Sequence, residues 1–145
     1  MSKATTVITL TIALLASPWV SAAQNSLSIE LNKIEQIESS CHVFFLARNS
    51  LGQPINSLSF ETVLLDQQGA ITRLAVLDFL DLPANKLRMR QFEFPNLQCD
   101  AVNQLLFNSL ISCHSNASMN TDSQTTSLCA NKLVFTSSTN IEVLD

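Results

Sequence analysis

Short segments in which apolar and polar side chains alternate recur along this chain, with turn-forming residues between them. In the first segment, Leu27, Ile29 and Leu31 alternate with polar residues, which is the pattern of a strand with one buried face. The predicted strands cover residues 26–33, 41–47, 58–65, 71–77, 87–94, 101–111 and 128–135, with a short further piece at 141–144. The sequence therefore predicts an all-β fold, an immunoglobulin-like antiparallel β-sandwich of about seven strands.

Residues 101–111 leave a choice between strand and helix. Val102, Leu105 and Leu106 also fit the spacing of a helix face, so the pattern alone does not separate the two. The surrounding strands favour a strand here. The next stretch, residues 115–127, is rich in serine, asparagine and threonine and has no hydrophobic pattern, which is typical of a loop.

Residues 87–94 show a phase slip in an otherwise regular strand pattern. Their apolar residues alternate first on one face and then on the other: Leu87, Met89, Phe92 and Phe94. A β-bulge near Arg90 and Gln91 would turn all of these side chains toward the core. We therefore expect a bulged strand here.

The amino-terminal end has the parts of a secretory signal peptide. Lys3 precedes an apolar stretch at residues 7–16, which is too short to span a bilayer. Pro18 and small residues follow, and their spacing predicts cleavage after Ala22 or Ala23. We expect residues 1–23 to be removed and residues 24–145 to form a single exported domain without an integral membrane segment.

The cysteines agree with export. All of them lie in the expected mature domain: Cys41, Cys99, Cys113 and Cys129. An even number of cysteines in an exported chain predicts disulfides, and the absence of a C-x-x-C pair argues against redox catalysis and haem attachment. In a meander the second and sixth strands run in the same direction, so Cys41 and Cys99 lie at one end of the domain. Cys113 and Cys129 lie at the other end, and we predict pairs Cys41–Cys99 and Cys113–Cys129.

Composition excludes several classes of function. The chain has 12 acidic and 8 basic residues, which disfavours a nucleic-acid partner or an anionic membrane surface. Its 2 glycines cannot build a phosphate-binding loop, and neither G-x-S-x-G nor H-E-x-x-H occurs. The sequence therefore predicts no cofactor.

Basic residues concentrate in one short stretch. As strand neighbours, Lys86, Arg88 and Arg90 would line one face, and Arg73 from the preceding strand would lie near them. Such a cluster on an acidic protein is a candidate docking patch for an acidic partner. The alternative interpretation is a solvated strand whose charges prevent edge pairing.

The dipeptides Cys41-His42 and Cys113-His114 are the one pattern that could carry chemistry. Two thiolates and two imidazoles are a ligand set for zinc or copper, and either histidine could serve as a base beside a carboxylate. Adjacent strand residues point to opposite faces, however, so one such pair cannot easily direct both side chains at one metal. Disulfides with solvent-facing histidines are the favoured interpretation.

A family resemblance supports the fold class. Residues 58–70 and 80–86 contain a strand, the turn Asp66-Gln67-Gln68-Gly69, a second strand and the stretch Leu82-Pro83-Ala84-Asn85-Lys86. This arrangement resembles FxLYD-type and LEA-2-like domains, although Leu64-Leu65-Asp66 lacks the usual tyrosine. It is also similar to a family of small exported bacterial proteins. The resemblance implies an immunoglobulin-like sandwich in the bacterial periplasm and no catalytic residues.

Together these features lead to an expectation about function. We expect a non-enzymatic, periplasmic binding or accessory module that contacts an envelope protein. The alternative is a periplasmic metal-handling protein or small hydrolase that uses His42 and His114 with cysteine or carboxylate groups.

Overall fold

A computed structural model of the protein describes residues 25–115 and 129–145. The strands are β1 (Leu27–Ile37), β2 (Ser40–Asn49), β3 (Ile55–Leu65), β4 (Ile71–Leu82), β5 (Leu87–Phe94), β6 (Gln104–Ser115), β7 (Leu133–Ser137) and β8 (Glu142–Leu144). A single 3-10 turn, Cys99–Ala101, precedes β6 in this part of the chain.

The strands form two four-stranded sheets that pack face to face. Sheet I has the order β5-β2-β1-β7, and sheet II has the order β4-β3-β6-β8. Neighbouring strands are antiparallel except for β1 with β7 and β6 with β8, which are parallel. The predicted all-β sandwich is confirmed. No helix within residues 25–115 and 129–145 is long and apolar enough to cross a membrane.

Aromatic rings fill the space between the sheets. Phe45 of sheet I lies edge-on to Phe79 and Phe107 of sheet II, with ring centroids 5.4 and 6.0 Å apart. Phe60 contacts the same two rings at 5.8 and 5.0 Å. Aromatic pairs in these orientations add to the burial of their surfaces, so this cluster is the centre of the core.

Both predicted disulfides are present. Cys41, near the start of β2, is bonded to Cys99 in the 3-10 turn that leads into β6. Cys113, near the end of β6, is bonded to Cys129. Each bond therefore joins two cysteines that were predicted to lie at the same end of the domain.

β1 continues beyond its predicted end at residue 33. A bulge between Leu31 and Lys33 shifts the phase of the strand, and Ile34 then pairs with Val43 of β2 and packs against the core. The residues that follow the predicted strand therefore belong to β1 as far as Ile37.

β4 also exceeds its prediction, which ended it at residue 77. The pairing with β3 is irregular around Phe79 and Leu80, and after it Leu82 is buried opposite Ile55. The strand stops only before Pro83, whose ring removes a backbone donor. Because the irregularity restores the inward phase, β4 continues through residues 78–82, beyond its predicted end.

The bulge predicted in β5 is absent. β5 pairs with β2 in an unbroken register from Leu87 to Phe94. Phe94 is buried, whereas Leu87 and Met89 are exposed on the opposite face of the strand. The strand keeps regular alternation because it lies at the edge of sheet I, where leaving an apolar side chain exposed to solvent lowers the stability only slightly.

The strand interpretation of residues 101–111 is confirmed, although the strand begins at Gln104 and continues to Ser115. The strand predicted over residues 128–135 begins later, at Leu133, and residues 129–130 are helical. Most of the predicted polar loop lies outside the described residues.

β7 is attached to β1 by a hydrogen bond beyond its end. The hydroxyl of Ser138 donates to Glu30 Oε1 at 2.6 Å. This bond, together with one from Asn32, lowers the pKa of the Glu30 carboxyl. Because the pKa falls on folding, the contribution of this carboxylate to stability is present near neutral pH and is lost as the solution is acidified.

Candidate interaction surface

The structure places the two histidines in different sheets. His42 is in β2 of sheet I, and His114 is in β6 of sheet II. The cysteine next to each histidine is in a disulfide, so neither sulfur is a free thiolate. No group of three or more metal-binding side chains occurs within residues 25–115 and 129–145.

His42 is buried, contrary to the expectation of a solvent-facing ring. Its Nδ1 forms a hydrogen bond of 2.8 Å with the side-chain amide of Gln91 on β5. The nearby Ser40 hydroxyl donates to Glu93 at 2.8 Å. The His42 imidazole therefore helps to join β2 to β5. The Ser40 hydroxyl is hydrogen-bonded to the Glu93 carboxylate and not to His42.

The residues of the predicted docking patch have different roles. Arg90 reaches from β5 to β4, where its Nε donates to the carbonyl of Phe79 at 2.6 Å and an Nη donates to the carbonyl of Asp81 at 2.8 Å. Arg73 donates to the carbonyl of Pro95 at 3.1 Å. Two members of the patch therefore connect the edges of the two sheets, while Lys86 is exposed.

We expect replacement of Arg90 by methionine to lower the free energy of unfolding by about 2 kcal/mol. Its side chain is only 17% exposed, and a charged donor held by carbonyl groups contributes about 1.5–3 kcal/mol per buried hydrogen bond. Urea unfolding measures the change, with Lys86→Met as the matched control. A loss within about 0.5 kcal/mol of the control would show that Arg90 behaves as an ordinary surface charge.

Exposed apolar residues concentrate at the same two edges. β4 is the last strand of sheet II and β5 is the last strand of sheet I. Of nine exposed large hydrophobic side chains in the described residues, six lie on these strands: Ile71, Leu74, Val76, Leu80, Leu87 and Met89. Exposed apolar groups are ordinary when scattered, whereas a contiguous group indicates an interaction surface. Leu74 and Val76 share the outer face of sheet II, while Leu87 and Met89 lie on the outer face of sheet I.

The apolar surface continues from β4 across the outer face of sheet II. Leu74 is 57% exposed and pairs with Val63 of β3, which pairs with Leu106 of β6. Leu106 in turn pairs with Leu144 of β8. Val63 alternates with the core residue Leu64, so it points outward, but neighbouring side chains cover it and leave it only 6% exposed. These four side chains form a row across the outer face of the sheet. We call this row the sheet II apolar row.

Charge differs between the two sheets. The strands of sheet II carry several acidic residues: Glu61, Asp78, Asp81 and Glu142. Their one lysine or arginine is Arg73, whose guanidinium already donates to Pro95. The sheet II apolar row therefore lies on a sheet with more acidic than basic residues, although Asp81 forms an ion pair at 3.7 Å with Arg90 of β5.

Comparisons with known proteins bear on the fold. No protein-family model matches the chain. No curated protein matches it either. Among solved structures, the chain is similar to IrmA from Escherichia coli, with a TM-score of 0.51 and 12% sequence identity over 66% of this chain and 80% of that chain. At this identity the similarity supports the β-sandwich fold alone.

Sequence reasoning missed the apolar edge. It placed the candidate patch on the basic residues of β5 and treated residues 71–77 as the return strand of a hairpin. The signal was present in β4, where Leu74 and Val76 occupy one face while Leu77 and Phe79 occupy the other. A strand that is apolar on both faces is expected in the centre of a sheet, so its position at an edge is informative only in the structure.

Proposed function

We propose that the mature domain is a non-enzymatic binding or accessory module of the bacterial periplasm that acts through protein–protein contacts. The observation that carries the proposal is the concentration of exposed apolar side chains on β4 and β5, the adjoining edge strands of the sandwich. A long apolar edge strand in a monomer invites uncontrolled pairing unless a partner covers it. If β4 is a binding surface, its exposed apolar residues have a role that explains why the protein keeps them.

Export supports the periplasmic part of the proposal. Residues 1–23 carry the sequence features of a signal peptide and lie outside the described residues. The two disulfides are compatible with a protein outside the reducing cytoplasm. The resemblance to FxLYD-type and LEA-2-like domains agrees with a small exported sandwich that carries no catalytic residues.

A binding experiment on the whole mature domain tests the proposal. Residues 24–145, purified with both disulfides intact, are immobilised and exposed to envelope extract from the source cells. We expect the domain to retain a defined protein, and the variant Leu74→Lys with Val76→Lys to lose it. A 10-fold or greater loss, or about 1.4 kcal/mol of binding free energy, is the expected scale.

The control is Val134→Lys. Val134 is 45% exposed on β7, the opposite edge strand of sheet I, so it matches the exposure and chemistry of the β4 positions. Binding that is equally reduced by the control would contradict a surface centred on β4. A purified domain that retains stoichiometric metal and binds no envelope protein would contradict a binding module.

A further inference from the structure

We propose that β4 binds an extended segment of the partner as an additional strand of sheet II, and that this segment carries apolar side chains next to a lysine or arginine. The inference rests on the proposed function and specifies the chemistry of its partner.

The first step concerns the free edge of β4. On one side β4 pairs with β3, and on the other side no strand of the described chain pairs with it. The Arg90 guanidinium donates hydrogen bonds to the carbonyls of Phe79 and Asp81, so these two carbonyls are not available to an added strand. They lie next to the irregular stretch where Leu80 has φ of 57°. The remaining stretch is residues 71–77, from which the Arg73 side chain reaches across to the carbonyl of Pro95. At about 3.4 Å per residue this stretch extends for roughly 20 Å. Such an edge matches the main-chain hydrogen bonds of an added strand.

The second step concerns the side chains beside that edge. Leu74 and Val76 are 57% and 59% exposed and occupy successive outward positions of β4. An added strand would place its own outward residues directly opposite these positions. Apolar residues at alternate positions of the incoming segment would bury both side chains and extend the sheet II apolar row.

The third step concerns charge. Asp78 occupies the next outward position of β4 and is exposed, although its Oδ1 also accepts from the backbone of Leu80. Glu61 lies opposite Val76 on β3 and accepts a hydrogen bond from Asn108. A lysine or arginine opposite Asp78 would therefore lie beside the Asp78 carboxylate, with Glu61 one strand farther away on β3. Arg73, the one lysine or arginine of the sheet II strands, already donates to Pro95. Cross-strand pairs of opposite charge favour one register over the others.

A second copy of the chain fits the charge pattern less well. It would bring the same acid-bearing strand beside β4, with no lysine on any sheet II strand to neutralise it. The complementary partner is a different chain whose docking segment is basic and apolar.

A synthetic peptide provides the probe. The blocked peptide Thr-Lys-Thr-Val-Thr-Val-Thr places its lysine opposite Asp78 when its valines lie opposite Val76 and Leu74 in an antiparallel register. Amide chemical shifts and hydrogen exchange of the full mature domain are measured as the peptide is added to about 1 mM. We expect changes in residues 71–77, with slower exchange of the amides that gain a partner.

Backbone methylation separates strand addition from side-chain contact. Alternate residues of an edge-bound peptide direct their N–H groups toward β4, and the others direct them away. N-methylation of one alternate set should abolish binding, while N-methylation of the other set should preserve it. Equal binding of both methylated peptides would overturn the proposal.

Charge exchange tests the register. Asp78→Lys should weaken binding of the lysine peptide by at least about 10-fold, and should restore binding of a peptide with glutamate in place of lysine. Glu38→Lys, an exposed change in the turn between β1 and β2, is the matched control and should have no effect. Thermal unfolding verifies that both variants are folded.

The outcomes are distinct from those of the envelope experiment. Absence of any change at residues 71–77, or dimerisation of the domain through β4 in sedimentation experiments, would overturn strand addition. Retention of an envelope protein that depends on other surfaces would leave the binding module intact while rejecting this mode of binding.

Discussion

Removal of the disulfide between Cys41 and Cys99, by replacing both residues with alanine, should lower the free energy of unfolding by about 4 kcal/mol. The bond closes a loop with a sequence separation of 58, and the chain-entropy model assigns about this value to a loop of that length. It also holds the start of β2 in sheet I beside the turn that enters β6 in sheet II. Urea unfolding of the mature domain measures the loss.

The second disulfide is the internal comparison. Cys113 and Cys129 are separated by 16 residues, so the same model assigns about 3 kcal/mol to their bond. The double alanine variant of this pair should therefore be the more stable of the two variants. The opposite order would contradict the chain-entropy explanation, and non-reducing peptide maps that link Cys99 to Cys113 would contradict the pairing itself.

Replacement of Phe60 by alanine should lower the free energy of unfolding by about 4 kcal/mol, which is comparable to the effect of removing the Cys41–Cys99 disulfide. The side chain is 1% exposed and contacts the rings of Phe79, Phe107 and Phe135. Removal of a buried aromatic ring costs its transfer free energy and leaves a cavity, which together amount to about 3–5 kcal/mol. Chemical unfolding again provides the measurement.

The variant Phe60→Leu tests the packing explanation, because it keeps an apolar side chain of smaller volume at this position. We expect a loss clearly below that of the alanine variant, at about 1–2 kcal/mol. Losses below about 1 kcal/mol for the alanine variant would mean that the aromatic cluster is not the centre of the core.

Period-two alternation was sufficient to predict the strands because each strand has one face in the core. Leu27, Ile29 and Leu31 are all buried, as their spacing indicates. The disulfide pairing was also predictable from strand direction, although the sheets have the orders β5-β2-β1-β7 and β4-β3-β6-β8 and do not form the meander that the prediction assumed.

Bulges were less predictable, since they depend on the partner strand. In β1 a bulge near Lys33 lets Ile34 reach the core, and nothing in the local sequence requires it. In β5 a bulge was predicted so that Leu87 and Met89 would be buried, but the edge position leaves them exposed. The assumption that apolar residues point inward fails at the edge of a sheet.

The candidate surface was the least predictable feature, because it depends on which strands are edges. Arg90 looked like a surface charge from its sequence, whereas in the structure its guanidinium donates to the carbonyls of Phe79 and Asp81. Leu74 and Val76 were not singled out from the sequence, whereas in the structure both are more than half exposed. The order of the strands in the sheets determines which residues lie at an edge, and the sequence does not state that order.

Photocrosslinking in intact cells tests the central claim, that β4 is the surface through which the domain binds its partner. A photoreactive phenylalanine derivative is introduced at Val76 and, as the control, at Val134, which is exposed on the opposite edge. We predict an adduct with one envelope protein from position 76 and none from position 134. The crosslinked peptide of that protein should contain alternating apolar residues beside a lysine or arginine. Adducts of equal yield from both positions, or none from position 76, would contradict the account.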